Sequence, residues 1–149
     1  MARRLFFILT AALLIFFIFF IHNRNPQKTS KERLLEIRDT SLYVEIADTP
    51  EKRRQGLSGR SKMRDDQGML FIFDNPASPG FWMKDMFFSI DMIWIDANGF
   101  VVGITKNIPP DSFPKTFEPP SPVLYVLEVN AGWADKNNIS VGDKTLPPN

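Results

Sequence analysis

The sequence predicts a mainly β fold of the α+β type: a compact barrel-like or sandwich-like domain with two short helices, preceded by one transmembrane helix. Three observations predict it. Residues 5–21 are almost wholly apolar. The rest breaks into six or seven short strand-like segments with no alternating βαβ pattern, and a proline-rich stretch interrupts the second half. At 149 residues there is room for one domain of ordinary size.

Leu5 to Ile21 is a run of 17 residues in which only Thr10 is polar and fourteen are Leu, Ile or Phe. Fourteen such residues contribute roughly −4 to −8 kcal/mol towards insertion. As a helix the run spans about 26 Å against about 30 Å of hydrocarbon, and Arg3, Arg4 and Arg24 can snorkel to the two interfaces. A cleaved secretory signal is the competing reading. The run ends in Phe19-Phe20-Ile21-His22, without the small residues that a cleavage site needs, which favours an uncleaved anchor. Basic residues flank both ends, but the head before the run is only four residues long, so the expected orientation carries the remaining chain across. The organisation expected is a bilayer anchor over 1–22, a juxtamembrane linker over 23–40 and a β-rich domain over 41–149. That places a single-pass protein in the cytoplasmic membrane with its domain extracytoplasmic, or periplasmic.

Charge and composition exclude several function classes. Residues 1–21 hold two arginines and no acid, leaving 16 basic and 17 acidic side chains, so nothing recommends a nucleic-acid partner. There is no cysteine, and the only histidine is His22, outside the expected domain. Thiolate and histidine metal sites and Ser-His-Asp chemistry lack their residues there. No metal and no cofactor are expected.

Within the linker, Leu34, Leu35 and Ile37 can form a short amphipathic helix or an edge strand. Leu42, Val44 and Ile46 alternate with Tyr43, Glu45 and Ala47 as in a half-buried strand. Thr49-Pro50-Glu51 supplies an N-cap, a first-position proline and a first-turn acid, and Gly56 ends the short helix. Met69–Phe73 is a continuous apolar run, hence a buried strand, and Phe81–Lys84 reads as a strand after the Pro79-Gly80 turn. Ile90–Ile95 and Phe100–Ile104 flank Asp96-Ala97-Asn98-Gly99, where Asn-Gly supplies the positive φ angles of a hairpin. Pro109 to Pro122 holds six prolines in fourteen residues and must be a surface loop. Tyr125–Val129 is a further strand, Asn130–Lys136 a capped helix of one or two turns, and Val141–Lys144 a closing strand.

The order of these motifs resembles the bacterial and archaeal family known as domain of unknown function 192. The resemblance runs from about Tyr43 to Lys144. It is carried by Glu45-Ile46-Ala47-Asp48-Thr49-Pro50, Gly56-Leu57 with Arg60, Gly68-Met69-Leu70-Phe71, Phe81-Trp82-Met83-Lys84, Ile90-Asp91, Pro109-Pro110, Tyr125-Val126-Leu127-Glu128, Ala131-Gly132 and Gly142-Asp143. It implies a small β-rich fold, often behind a signal or anchor segment, and no accepted activity. Asp85-Met86 stands where the family usually has Asn-Thr, and Ser89-Ile90 where it has Pro-Leu.

The candidate ligand-binding residues are Arg60, Phe81, Trp82, Lys84, Asp91, Trp94 and Glu128. In a strand Trp82 and Lys84 share a face, an aromatic plate beside a cation that suits a sugar ring, an aromatic group or a small anion. The plainer alternative packs Trp82 under the proline-rich loop and pairs Lys84 with an acid. Arg60 follows the glycine loop, where its fork suits a carboxylate or phosphate, or forms a structural pair with Asp91 or Glu128. The expected function is a binding module for a small ligand or cell-envelope component, reached with no credible nucleophile–base pair in view. Two alternatives stand beside it: a carboxylate-dependent envelope hydrolase using Asp85, Asp91 or Glu128, and an assembly factor for a membrane complex.

Overall fold

The computed structural model describes residues 32–146. The anchor expected over 1–22 lies outside the described residues, as does the linker up to residue 31. No helix among the described residues is long and apolar enough to cross a membrane.

The chain forms a single mixed sheet, curled into a half-barrel. Its strands are β1 (Arg33–Ile37), β2 (Thr40–Ala47), β3 (Gln67–Ala77), β4 (Ile90–Ile95), β5 (Val101–Ile108), β6 (Val123–Asn130) and β7 (Thr145–Leu146), in the spatial order β5-β4-β6-β3-β2-β1-β7. The helices are α1 (Pro50–Gln55) and α2 (Trp133–Lys136), with one 3-10 turn at Pro110–Ser112. Backbone hydrogen bonds from Val101 to Asp143, Gly142 to Val101 and Thr145 to Gly99, of 2.7–2.9 Å, link the two outer strands at one end of the curl.

Several elements differ from the sequence expectation. Leu34, Leu35 and Ile37 lie in β1, paired antiparallel with β2, so the segment expected as linker up to residue 40 already belongs to the sheet. Leu35 and Ile37 are fully buried while Leu34 is half exposed, a two-residue period that a five-residue stretch scarcely distinguishes from a helical turn. β2 and β3 pair in parallel, so one crossover does occur, through residues 48–66 and α1. Phe81–Lys84 is not a strand: Phe81 makes a two-bond bridge with Phe117, 2.8 Å each way, and the chain then turns. The closing strand falls at Thr145–Leu146, with only Lys144 bridged from the predicted segment.

At the β4–β5 hairpin only Gly99 takes a positive φ, +81°. Asp96 sets the turn instead, its Oδ1 accepting the N–H groups of Asn98 and Phe100 at 2.9 and 2.8 Å. α1 starts as its sequence requires: Thr49 Oγ1 accepts the Lys52 N–H, Pro50 opens the first turn, and Gly56 closes it at φ +49°. The proline-rich loop reaches across β5, where Gly103 leaves it room; a Cβ there would stand 2.9 Å from Pro120.

Side chains alternate across the curled sheet and build a core on each face. Leu42, Val44, Leu70, Ile93, Leu127 and Val129 pack with α2 on one face. Met69, Phe71, Met92, Trp94 and Val126 pack on the other with Leu57, Met63, Met83 and Met86 from the connecting loops. The second face carries the site.

Candidate functional site

Strand register assembles the floor of the site. Glu45 of β2, Met69 of β3, Glu128 of β6 and Met92 of β4 stand side by side in one row across the sheet. In-register residues point to the same face, so two carboxyls enter an otherwise methionine-lined layer. Arg60, in the loop after α1, forms a bidentate ion pair with Glu45, its Nη2 donating to Oε2 at 2.9 Å and its Nη1 to Oε1. Gln67 extends the network, its Nε2 donating to Glu45 at 3.0 Å and to Glu32 at 2.9 Å.

Glu128 receives no such partner. It is 5 % exposed, and its side chain has no hydrogen bond among the described residues. Its carboxyl opens instead onto a cavity of about 250 Å³. Burial pushes the Glu128 pKa up to about 8, with the Arg60 guanidinium acting against the rise. At neutral pH Glu128 is therefore mainly a neutral acid that can both donate and accept a hydrogen bond.

Aromatic side chains form the cavity wall, with Phe71, Phe81 and Trp82 prominent. Phe81 stands edge-on to Phe71, centroids 4.9 Å apart at 84°, and edge-on to Trp94 at 5.7 Å and 78°. Two backbone bonds to Phe117 hold Phe81 in place. Trp82 is 54 % exposed. Two further contacts tie the loops that frame the cavity: Ser58 Oγ donates to the Lys84 carbonyl at 2.9 Å, and the Gly59 N–H donates to the Asp85 carbonyl at 2.8 Å. Arg53 and Arg54 of α1 complete the lining. Arg53 is committed to the Asp48 and Ile72 carbonyls, at 2.9 and 2.7 Å, and lies over the Phe73 ring. Arg54 feels Glu51 of its own helix but forms no hydrogen bond or salt bridge among the described residues.

The structure brings three of the sequence-derived candidates, Phe81, Trp82 and Glu128, onto one cavity. Lys84 borders an adjoining hollow with Trp82 and Asp85, and Arg60 borders a second one beside Gln55 and Ser58. Arg60 is paired with Glu45 rather than with Asp91 or Glu128, because β2 and not β4 runs beneath its loop.

Trp94 is buried behind Phe81, its indole donating to Thr105 Oγ1 at 2.9 Å, and does not line the cavity. Asp91 belongs to the opposite face. Fully buried, it accepts the Asn107 N–H at 2.8 Å and the Ala134 N–H at 3.1 Å, thereby capping α2, whose own N-cap Gly132 has no side chain to do so. Asp91 and Glu128 therefore cannot form an acid pair. Among the described residues no group of three His, Cys, Asp or Glu is placed to hold a metal ion.

Sequence reasoning missed Arg53, Arg54 and Phe71. The two arginines look like ordinary solvated charges in a six-residue helix, and Phe71 reads as core within an apolar strand. A signal for Arg53 and Arg54 does exist: apart from Pro50, α1 reads Glu51-Lys52-Arg53-Arg54-Gln55, with no apolar side chain to make a core-facing stripe.

Comparison with known proteins agrees with this architecture. The model of the family DUF192, described as Uncharacterized ACR, COG1430, matches residues 33–146. No curated protein matches the chain. A solved structure from Sinorhizobium meliloti 1021, named there a "putative transcription regulator", is 32% identical with a TM-score of 0.76, over 80% of this chain and 96% of that one. A protein of unknown function from Novosphingobium aromaticivorans DSM 12444 is 28% identical with a TM-score of 0.75, over 82% and 89% of the two chains. With a family model covering most of its length, the chain belongs to the DUF192 family.

Proposed function

We propose that this DUF192 domain is a binding module that takes a small ring-bearing molecule, and that an uncleaved N-terminal helix tethers it to the cytoplasmic membrane with the domain on the extracytoplasmic side. One observation carries the binding reading: Glu128, a buried acid without a hydrogen-bond partner among the described residues, faces a cavity walled by Phe71, Phe81 and Trp82. No sealed side-chain polar atom among the described residues lacks a partner, so the Glu128 carboxyl oxygens are accessible from the cavity, and a ligand hydroxyl, amide or acid at the cavity floor can bond to them for about 0.5–1.5 kcal/mol. About 250 Å³ falls below the roughly 300–1,000 Å³ of drug-sized sites, so the occupant is a single ring or a single residue of a larger molecule.

A hydrolytic reading needs a second carboxyl facing Glu128 across the cleft. Asp91 faces away, Glu45 is held by Arg60, and Asp85 borders the adjoining hollow rather than the cavity that Glu128 lines, so binding is the better-supported role. The test is ligand-observed NMR on the full-length protein with a library of single-ring sugars, aromatic acids and amines. Several members should bind the parent and fail to bind Trp82→Ala. A library yielding no Trp82-dependent binder would refute the reading. For the tether, a reporter fused to the C-terminus should be active only outside the cytoplasm.

A further inference from the structure

The cavity's charge is one-sided. Arg53 and Arg54 of α1 line it, Arg60 is near enough to act on Glu128 electrostatically, and Lys84 lies in the adjoining hollow past Trp82. Against these, Glu128 is the only acid in the lining among the described residues. Asp85 borders the hollow beside Lys84, and Glu45 is bound to Arg60. The four cations differ in availability. Arg53 spends its donors on two backbone carbonyls and Arg60 on Glu45, whereas Arg54 keeps its fork uncommitted among the described residues.

Resting on the binding-module reading, we propose that the ligand is a compact six-membered ring carrying one carboxylate, with the ring against Phe81 and Trp82, the anion on Arg54 and a polar atom on Glu128. Guanidinium and carboxylate match as a two-bond fork, which a neutral ring cannot use. The protonated Glu128 donates a hydrogen bond to such a ligand, where an ionised carboxylate would repel it. A cationic ring would meet Arg53 and Arg54 at close quarters with only Glu128 in its favour. An acidic sugar and an aromatic acid share this chemistry.

Calorimetric titration of the full-length protein at pH 7 with glucuronate, benzoate, glucose and glucosamine tests it. Glucuronate or benzoate should bind about tenfold or more tightly than the two uncarboxylated rings; whichever of the two binds identifies a sugar or an aromatic source. Arg54→Ala should remove that preference. Lys136→Ala, which deletes a charge on α2 at the other face, should leave it intact. The preference should also fade as the pH passes about 8, where Glu128 ionises. Glucose or glucosamine binding as tightly as glucuronate, or an Arg54→Ala protein with unchanged preference, would overturn the carboxylate assignment while leaving a binding module. If none of the four binds at millimolar concentration, the carboxylate assignment falls. The broader reading then stands or falls on whether the library yields a Trp82-dependent binder.

Discussion

Raising the pH from 5 to 9 should destabilise this domain, and replacing Glu128 by Gln should abolish the effect. In the folded chain burial raises the Glu128 carboxyl from 4.5 to about 8, whereas in the unfolded chain it titrates at its ordinary value. Between those values the folded state holds a proton that the unfolded state has released, so stability falls as the pH rises. The favourable contribution is complete below about 4.5 and lost above about 8. A displacement of that size corresponds to about 5 kcal/mol if the site stays closed, and water entering the cavity reduces the loss to about 2–4 kcal/mol. For a domain of this length that is on the order of 10 °C in Tm. The window is unusually clean. The described residues contain no His or Cys, while Asp48 and Glu51 are held below their ordinary values and titrate under pH 5. The assay is thermal unfolding of the full-length protein, parent against Glu128→Gln, both in a His22→Asn background. A parent Tm that is flat from pH 5 to 9, or a Glu128→Gln protein with the parent's slope, would refute the reasoning.

Other substitutions separate the site from the scaffold. Arg60→Met removes the two-bond fork from Glu45, which keeps its Gln67 hydrogen bond, so it should cost about 1–3 kcal/mol by denaturant unfolding. It should also move the Glu128 titration upward, read from carboxyl carbon shifts, because the cation that opposes its rise is gone. Asp91→Ala strands the Asn107 and Ala134 N–H groups and should cost about 2–4 kcal/mol, with ligand affinity unchanged in the protein that remains folded. Alkaline carbonate washing should leave the full-length chain with the membranes, and deletion of residues 1–21 should release it.

Much of the scaffold could be read from residue order because its signals are local. Alternation from Leu42 to Ala47, the apolar run from Met69 to Phe73, the Thr49-Pro50-Glu51 helix start and the Asp96–Gly99 turn each act within a few residues. What escaped depends on which strands become neighbours. The parallel pairing of β2 with β3 puts Glu45 under the Arg60 loop, and nothing near either residue announces it. Asp91 and Glu128 look alike as acids within apolar strands. One faces α2 and accepts two backbone donors; the other faces the cavity and accepts none. Phe81–Lys84 alternates like a strand yet has only one bridging residue, so its neighbours are free to place Trp82 at the cavity and Met83 in the core.

The most direct test of the cavity as a binding site uses the three tryptophans as reporters. Trp82 lines the cavity, Trp94 lies behind Phe81, and Trp133 packs on the opposite face with α2. In nitrogen-15 spectra of the full-length protein titrated with glucuronate and benzoate, the Trp82 indole resonance should shift and saturate. Trp94 should follow weakly and Trp133 should stay still. Saturating shifts largest at Trp133, or three motionless indoles with both ligands, would contradict the account.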